Sequence, residues 1–169
     1  MRKNIFLAIA AAMETVTPSE AYPDGIVFVD LWNDQVNLLN GGSAFPVPAV
    51  FVEFEQIDWH QVQNRVRNGD IAVRLHIVTR AVPTHGHKDP AMPEALAAFD
   101  LIDSINAAMQ ALRGDNFAGF MLTTSATNHN HGELVENVER YVTRAQDTSA
   151  MRPMHRAAGL SISVNPPNL

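Results

Sequence analysis

The stretch Ala49–Thr79, "AVFVEFEQIDWHQVQNRVRNGDIAVRLHIVT", decides how the chain folds. Its first part alternates, with Val50, Val52 and Phe54 on one side and Phe51, Glu53 and Glu55 on the other. The run from Asp70 to Arg80 sets Ile71, Val73, Leu75 and Ile77 against Ala72, Arg74, His76 and Val78. Side chains of an extended strand point to opposite faces in turn, so each run predicts a half-buried strand. Between them lies a polar insert with Trp59, His60, several amides, Arg65 and Arg67. Hairpin loops usually hold about two to five residues. An insert this long predicts a binding or interface element in place of a tight turn.

Working outward, the N-terminal "MRKNIFLAIAAAM" places Ile5, Ile9, Ala12 and Val16 on one helical face, which predicts a helix over residues 2–14. Its basic start and apolar run also imitate a secretory leader, but the helical face favours a structural helix, and the run is too short to span a bilayer. "IVFVDLW" predicts a short strand over about 26–31, buried on both faces because it barely alternates. The prolines of "NGGSAFPVP" mark a loop. After a second long loop, Ala81–Pro93, the residues Ala95, Phe99, Ile102, Ile105, Met109 and Leu112 recur at steps of three or four. They predict a helix over 94–113 lying across the sheet, with Pro93 in its first turn and Gly114 as a left-handed cap. Residues 117–127 predict another strand, and Leu160, Ile162 and Val164 alternate with Ser161, Ser163 and Asn165 to predict a last one over 160–164. "ELVENVERYVTRAQD" fits a helix through Leu134, Val135, Val138, Tyr141, Val142 and Ala145, and a strand face through Val138, Arg140, Val142 and Arg144. Periodicity favours the helix. The fold class expected is α+β, one domain over 1–169, with a mixed, mostly antiparallel sheet carrying an N-terminal and a long central helix.

Composition bounds the chemistry. With 169 residues, 46% hydrophobic and 18% charged, the chain suits a single globular domain. A net charge of −6 gives no global basic footprint for nucleic acid or anionic lipid. The absence of cysteine removes disulfides, thiolate metal ligands and a thiol nucleophile, and leaves the redox compartment open.

Metal chemistry has one set of candidates, the H-x-H pairs His85/His87 and His129/His131, since alternate residues of a strand can aim two imidazoles at one ion. Both pairs sit in turn-like sequence without a carboxylate at a familiar spacing, which reads as solvent-facing histidine. His76 reads as a sheet-surface residue. Ser104 and Ser125 lack a base at motif spacing, and no nucleophile elbow is present. Glu53 with Glu55 reads as a solvated strand face. "LRGDNFAG" follows a helix instead of opening one, so it is no phosphate loop, and its Arg113–Asp115 triplet reads as a helix cap. No catalytic residue and no cofactor is expected. Trp59 with Arg65 and Arg67 belongs to the residue types enriched at protein–protein hot spots, and Trp59 could equally fold back onto the edge of the core.

The order of helix, "DLW", Pro-rich loop, "PAVFVEFE", polar insert, "RLHIVT", long loop, "FDLIDSINAAMQALRG" and "FMLTTSATNHNHGELVENVERYVTRAQDTSA" resembles the tail terminator, or tail completion, proteins of long-tailed phages, including versions in Bacteroidetes-type phages and prophages. The resemblance runs from Met1 to Val164 and rests on element order, with no catalytic signature. It implies a non-enzymatic α+β virion protein whose copies form a ring, six by resemblance. That ring would end tail-tube growth and join the tube to the head connector. It further implies a strand for Val138–Arg144, a location in the virion tail and, during assembly, the host cytoplasm. Expected partners are copies of itself, the tail tube protein and head-connector proteins, without sequence-specific nucleic acid binding or a membrane. The loops Gln56–Gly69 and Ala81–Pro93 are the expected contact elements, with Trp59, His60, Arg65, Arg67, His85 and Lys88 as interface candidates. The rival expectation is a metal-binding protein or metal-dependent enzyme built on the two H-x-H pairs.

Overall fold

The computed structural model describes residues 1–36 and 45–151, with backbone only for residues 129–131. Helix α1 spans Arg2–Met13, and strands β1 (Phe28–Leu31), β2 (Ala49–Phe54), β3 (His60–Gln61) and β4 (Arg67–Arg80) follow. Helix α2 (Met92–Ala111) precedes β5 (Met121–His131) and β6 (Leu134–Asp147). The sheet runs β1-β2-β4-β6-β5, with β3 hooked onto β4. Among the described residues only the β1–β2 pair is parallel; the other pairs are antiparallel. The fold is α+β, as its alternating strands and two amphipathic helices predict.

Both helices cover one face. Ile5, Ile9 and Met13 of α1 and Val16 just after it, with Leu101, Ile105 and Met109 of α2, pack onto Val50, Val52, Ile71, Val73, Leu75, Ile77 and Tyr141. α1 touches β1 while α2 touches β5, so the helices lie side by side over the two halves of the sheet.

Several expectations change. The run read as a doubly buried strand is β1, whose Asp30 and Leu31 are exposed, because among the described residues it has a neighbour on one side only. The stripe on α2 is rotated: Leu101 replaces Phe99, which is 57% exposed. Gly114 is not in the left-handed region. The helix ends with Leu112 extended (φ −65°, ψ 128°), and the Arg113 guanidinium donates to the carbonyls of Gln110 and Leu112. Gly114 is needed for space, since a Cβ there would run into the Phe117 ring. The strand expected over 117–127 begins at Met121, Phe117 making isolated bridges to Gly114 and Ala145. Residues 134–147 form one long strand, against the helical period. Its helix-side positions include Glu139 and Thr143, polar residues that blur the alternation. The segment expected as strand 160–164 lies outside the described residues.

Candidate functional site

The polar insert resolves into a short approach, Glu55–Trp59, and a tight hairpin. His60 and Gln61 pair with Asn68 and Arg67, and Val62 and Val66 close the turn, with Val62 N–H donating to Val66 O. Asn64 (φ 51°) and Arg65 (φ 63°) sit at its apex, and two successive positive φ angles define the turn that matches strand twist. Asn at the first of these positions tolerates the left-handed region; Arg65 there is held by the hairpin. The expectation that the insert is too long for a tight turn is therefore corrected: its second half is itself a hairpin, and β4 starts three residues early.

Trp59 is half-buried against the main core, with the Arg67 guanidinium carbon 4.8 Å from its ring centroid. Gly69 permits this approach, for a Cβ there would lie 3.1 Å from Trp59 Cε3 and 3.0 Å from the Asp58 carbonyl. Arg67 also donates to Asp147 Oδ2 from Nε (2.9 Å) and Nη2 (2.7 Å). The Ser149 backbone N–H and then Arg67 hold the Asp147 carboxyl down to about 2. Trp59 and Arg67 thus contact each other and the rest of the subunit, while His60, Arg65 and Val62 stand out on the hairpin. His85 and Lys88 are exposed in the loop before α2. Asp89 accepts the Ala91 and then the His85 backbone N–H groups, which lowers its pKa and shapes that loop.

The sheet face away from the helices carries what the sequence reading missed. At its upper end Phe28, Trp32, Phe45, Val47 and Leu134 close over Val36, Ala49, Phe51 and Val78 as a second apolar cluster. Below it lies an ion-pair network. His76, 6% exposed, stacks on Trp32 with ring centroids 3.7 Å apart and planes 1° from parallel. Its Nδ1 lies 2.6 Å from Glu136 Oε1 and its Nε2 3.2 Å from Glu53 Oε2. Glu55 accepts from Arg140 Nε and Nη2 at 2.9 Å each and from Arg74 Nε at 2.8 Å. The Arg140 hydrogen bonds are the main reason its carboxyl titrates below the ordinary range. Glu53 and Glu55 are therefore not a solvated face, and His76 is not a surface residue. The signal was present as complementary charge: two acids at the end of β2, Glu53 and Glu55, beside Arg74 and His76 on β4.

This network binds its own members. Each carboxylate is matched to a cation or ring on a neighbouring strand, which suits a rigid platform better than a reaction centre. Of the H-x-H pairs, His85 is 89% exposed beside Asp89, His87 is exposed, and the side chains of His129 and His131 lie outside the described residues. No group of three or more His, Cys, Asp or Glu that could hold a metal ion occurs among the described residues. Nor is any helix there long and apolar enough to cross a membrane.

No family model matches the chain, and no curated protein does. Among solved structures it is similar to a chain of the virion of a native gene transfer agent particle. The TM-score is 0.48 at 11% identity, over 85% of this chain and 95% of that one.

Proposed function

We propose that this chain is a non-enzymatic structural subunit of a phage-like virion, of the tail-terminator kind, which assembles with copies of itself into a ring capping the tail tube. The observation that carries the reading is a pair of unlike exposed surfaces at opposite ends of the subunit, a hairpin tip with one apolar side chain and an apolar stretch of α2. Val62, 55% exposed, projects from the β3–β4 hairpin beside Arg65. Leu96 and Phe99 stand exposed on the first half of α2, whose N-terminal end lies near Arg80, at the far end of β4. A closed ring needs two different surfaces that meet head to tail, and exposed apolar side chains mark surfaces that become covered. The element order that resembles tail terminators supports the same reading, as does a sheet stiffened by charge pairs on its open face. The hairpin, with His60 and Arg65, and the loop with His85 and Lys88 would border the joint. Tail tube and head-connector proteins would meet the two ends of the ring.

Native mass spectrometry across a concentration series tests this. A closed hexamer that falls apart in Val62→Asp and in Phe99→Asp is the expected result. A species that stays monomeric throughout, or a hexamer indifferent to both substitutions, counts against the reading.

A further inference from the structure

The two edges of the sheet are built differently. β1 is four residues long, and its Leu31 N–H is taken at 2.7 Å by the Asp30 carboxylate of the same strand. A short edge blocked by its own acid is a protected edge. β5 is eleven residues long and reads "MLTTSATNHNH", without Lys, Arg, Asp, Glu or Pro. Met121 to Thr127 are exposed, and among the described residues the strand pairs with β6 alone. Its polar side chains turn inward to β6: Thr123 Oγ1 donates to the Arg140 carbonyl, Ser125 Oγ to Glu139, and Thr127 Oγ1 to Asn137 Oδ1. Those bonds fix the strand, and among the described residues no other strand pairs with its outward edge. The central register, Thr124 to Asn128 against Arg140 to Glu136, is regular, with irregularities only on either side of it.

We propose that β5 is a self-pairing edge: β5 of one copy adds antiparallel to β5 of a second, extending the sheet across a two-fold axis near Ala126. The segment is its own complement. With Ala126 opposite Ala126 of the other copy, Ser125 meets Thr127 in both directions, so small and hydroxyl side chains adjoin and no like charges oppose. The other edge is the poorer acceptor, because it is four residues long and Asp30 takes its Leu31 N–H. The contact uses the same surface twice and so is distinct from the head-to-tail joint of the ring reading; it stands without that reading. Its backbone ladder is short, and an association of micromolar strength is expected.

Sedimentation and native mass spectrometry at about 1 to 100 µM test it. Dimers, or multiples of dimers, are expected for the wild-type chain. Ala126→Lys and Ala126→Glu should each weaken pairing at least about tenfold, because like charges then face each other, and an equimolar mixture should restore mixed pairs. Recovery in the mixture also shows that both variants fold. Hydrogen exchange should slow on pairing at alternate amides between Thr124 and Asn128. A wild-type chain monomeric at about 100 µM overturns the proposal. So does association that Ala126→Lys leaves unchanged, and if that association is a hexamer, the ring reading survives while this one fails.

Discussion

Strands β4 and β6 present opposite chemistry on their two faces. Toward the helices they show Ile71, Val73, Leu75, Ile77, Tyr141 and Ala145, all buried in one apolar layer. Away from the helices they show Arg74, His76, Glu136 and Arg140, which pair among themselves and with Glu53 of β2 and Glu55 just beyond it. The apolar face contributes free energy in proportion to area removed from water, and it depends little on which neighbour each side chain touches. The charged face contributes less net stability, since ions must be desolvated to form it, but it depends strongly on alignment. A one-residue slip of β4 against β6 would drive Arg74 or Arg140 into the helix layer. The apolar face drives folding, and the charged face selects the register.

The comparison breaks first where it predicts the largest effect. Ile105 is fully buried between α2 and the sheet, so Ile105→Ala should cost about 2–5 kcal/mol through lost transfer energy and a residual cavity. Urea denaturation should report this as a lower midpoint. On the opposite face, His76→Ala removes the ring that stands between two carboxylates and that Trp32 covers, and a cost of about 2 kcal/mol is expected. His76→Phe keeps the stacking and loses both ring nitrogens, and should fare no better. If the His76 variants cost more than Ile105→Ala in the same urea series, the division of labour between the faces is reversed.

Much of the apolar face could be read from the chain before any coordinates. The alternation of Ile71, Val73, Leu75 and Ile77, and the helical spacing of Ile5 and Ile9, are periodic signals that burial on one side imposes. Phe99 shows the limit: it shares the helical stripe with Ile105, but which part of a stripe faces the sheet depends on where the helix is laid down. β6 was obscured because Glu139 and Thr143 occupy its helix-side positions, held there by partners such as Ser125 and the Ala118 carbonyl. The charged face was legible only as residue types. That Arg140 reaches Glu55, 85 positions earlier, follows from strand order, which local sequence does not encode. The hairpin escaped notice because its turn uses Asn64 and Arg65 without the usual glycine.

An ion pair at the rim of the apolar face sharpens the contrast through pH. Arg67 and Asp147 are register partners at one end of β4 and β6, on the same side as the core. Held by the Ser149 backbone N–H and then by Arg67, the folded Asp147 carboxyl lies near 2, below its ordinary 3.8, so the folded chain binds fewer protons there than the unfolded chain does. Its stabilisation is present above about pH 4 and is lost as pH falls toward 2. Because Arg67 is partly exposed, the effect is discounted to about 1–2 kcal/mol. Thermal melts of Asp147→Asn should lie below wild type at pH 6 and converge with it near pH 2. Curves that stay parallel down to pH 2 would assign the difference to packing.

The smallest effect runs in the other direction, on the apolar face itself. Tyr141 is wholly buried, and its hydroxyl has no hydrogen-bond partner among the described residues. Burial, and secondarily the charge of Glu139, push its phenol well above the ordinary range. A buried polar atom without a partner has lost water and gained nothing in return, so Tyr141→Phe should stabilise the fold by about 1 kcal/mol. The ring's packing is retained, which separates this substitution from a cavity. In a Tyr22→Phe background Tyr141 is the single tyrosine, and tyrosinate absorbance should stay absent at pH 11 until denaturant is added. The sign follows from linkage: a raised folded pKa means that ionisation at high pH favours the unfolded chain, so the wild type should lose stability above about pH 10 and Tyr141→Phe should lose less. If Tyr141→Phe melts below wild type instead, the hydroxyl has a partner in solution, and the helix-covered face is less purely apolar than its geometry implies.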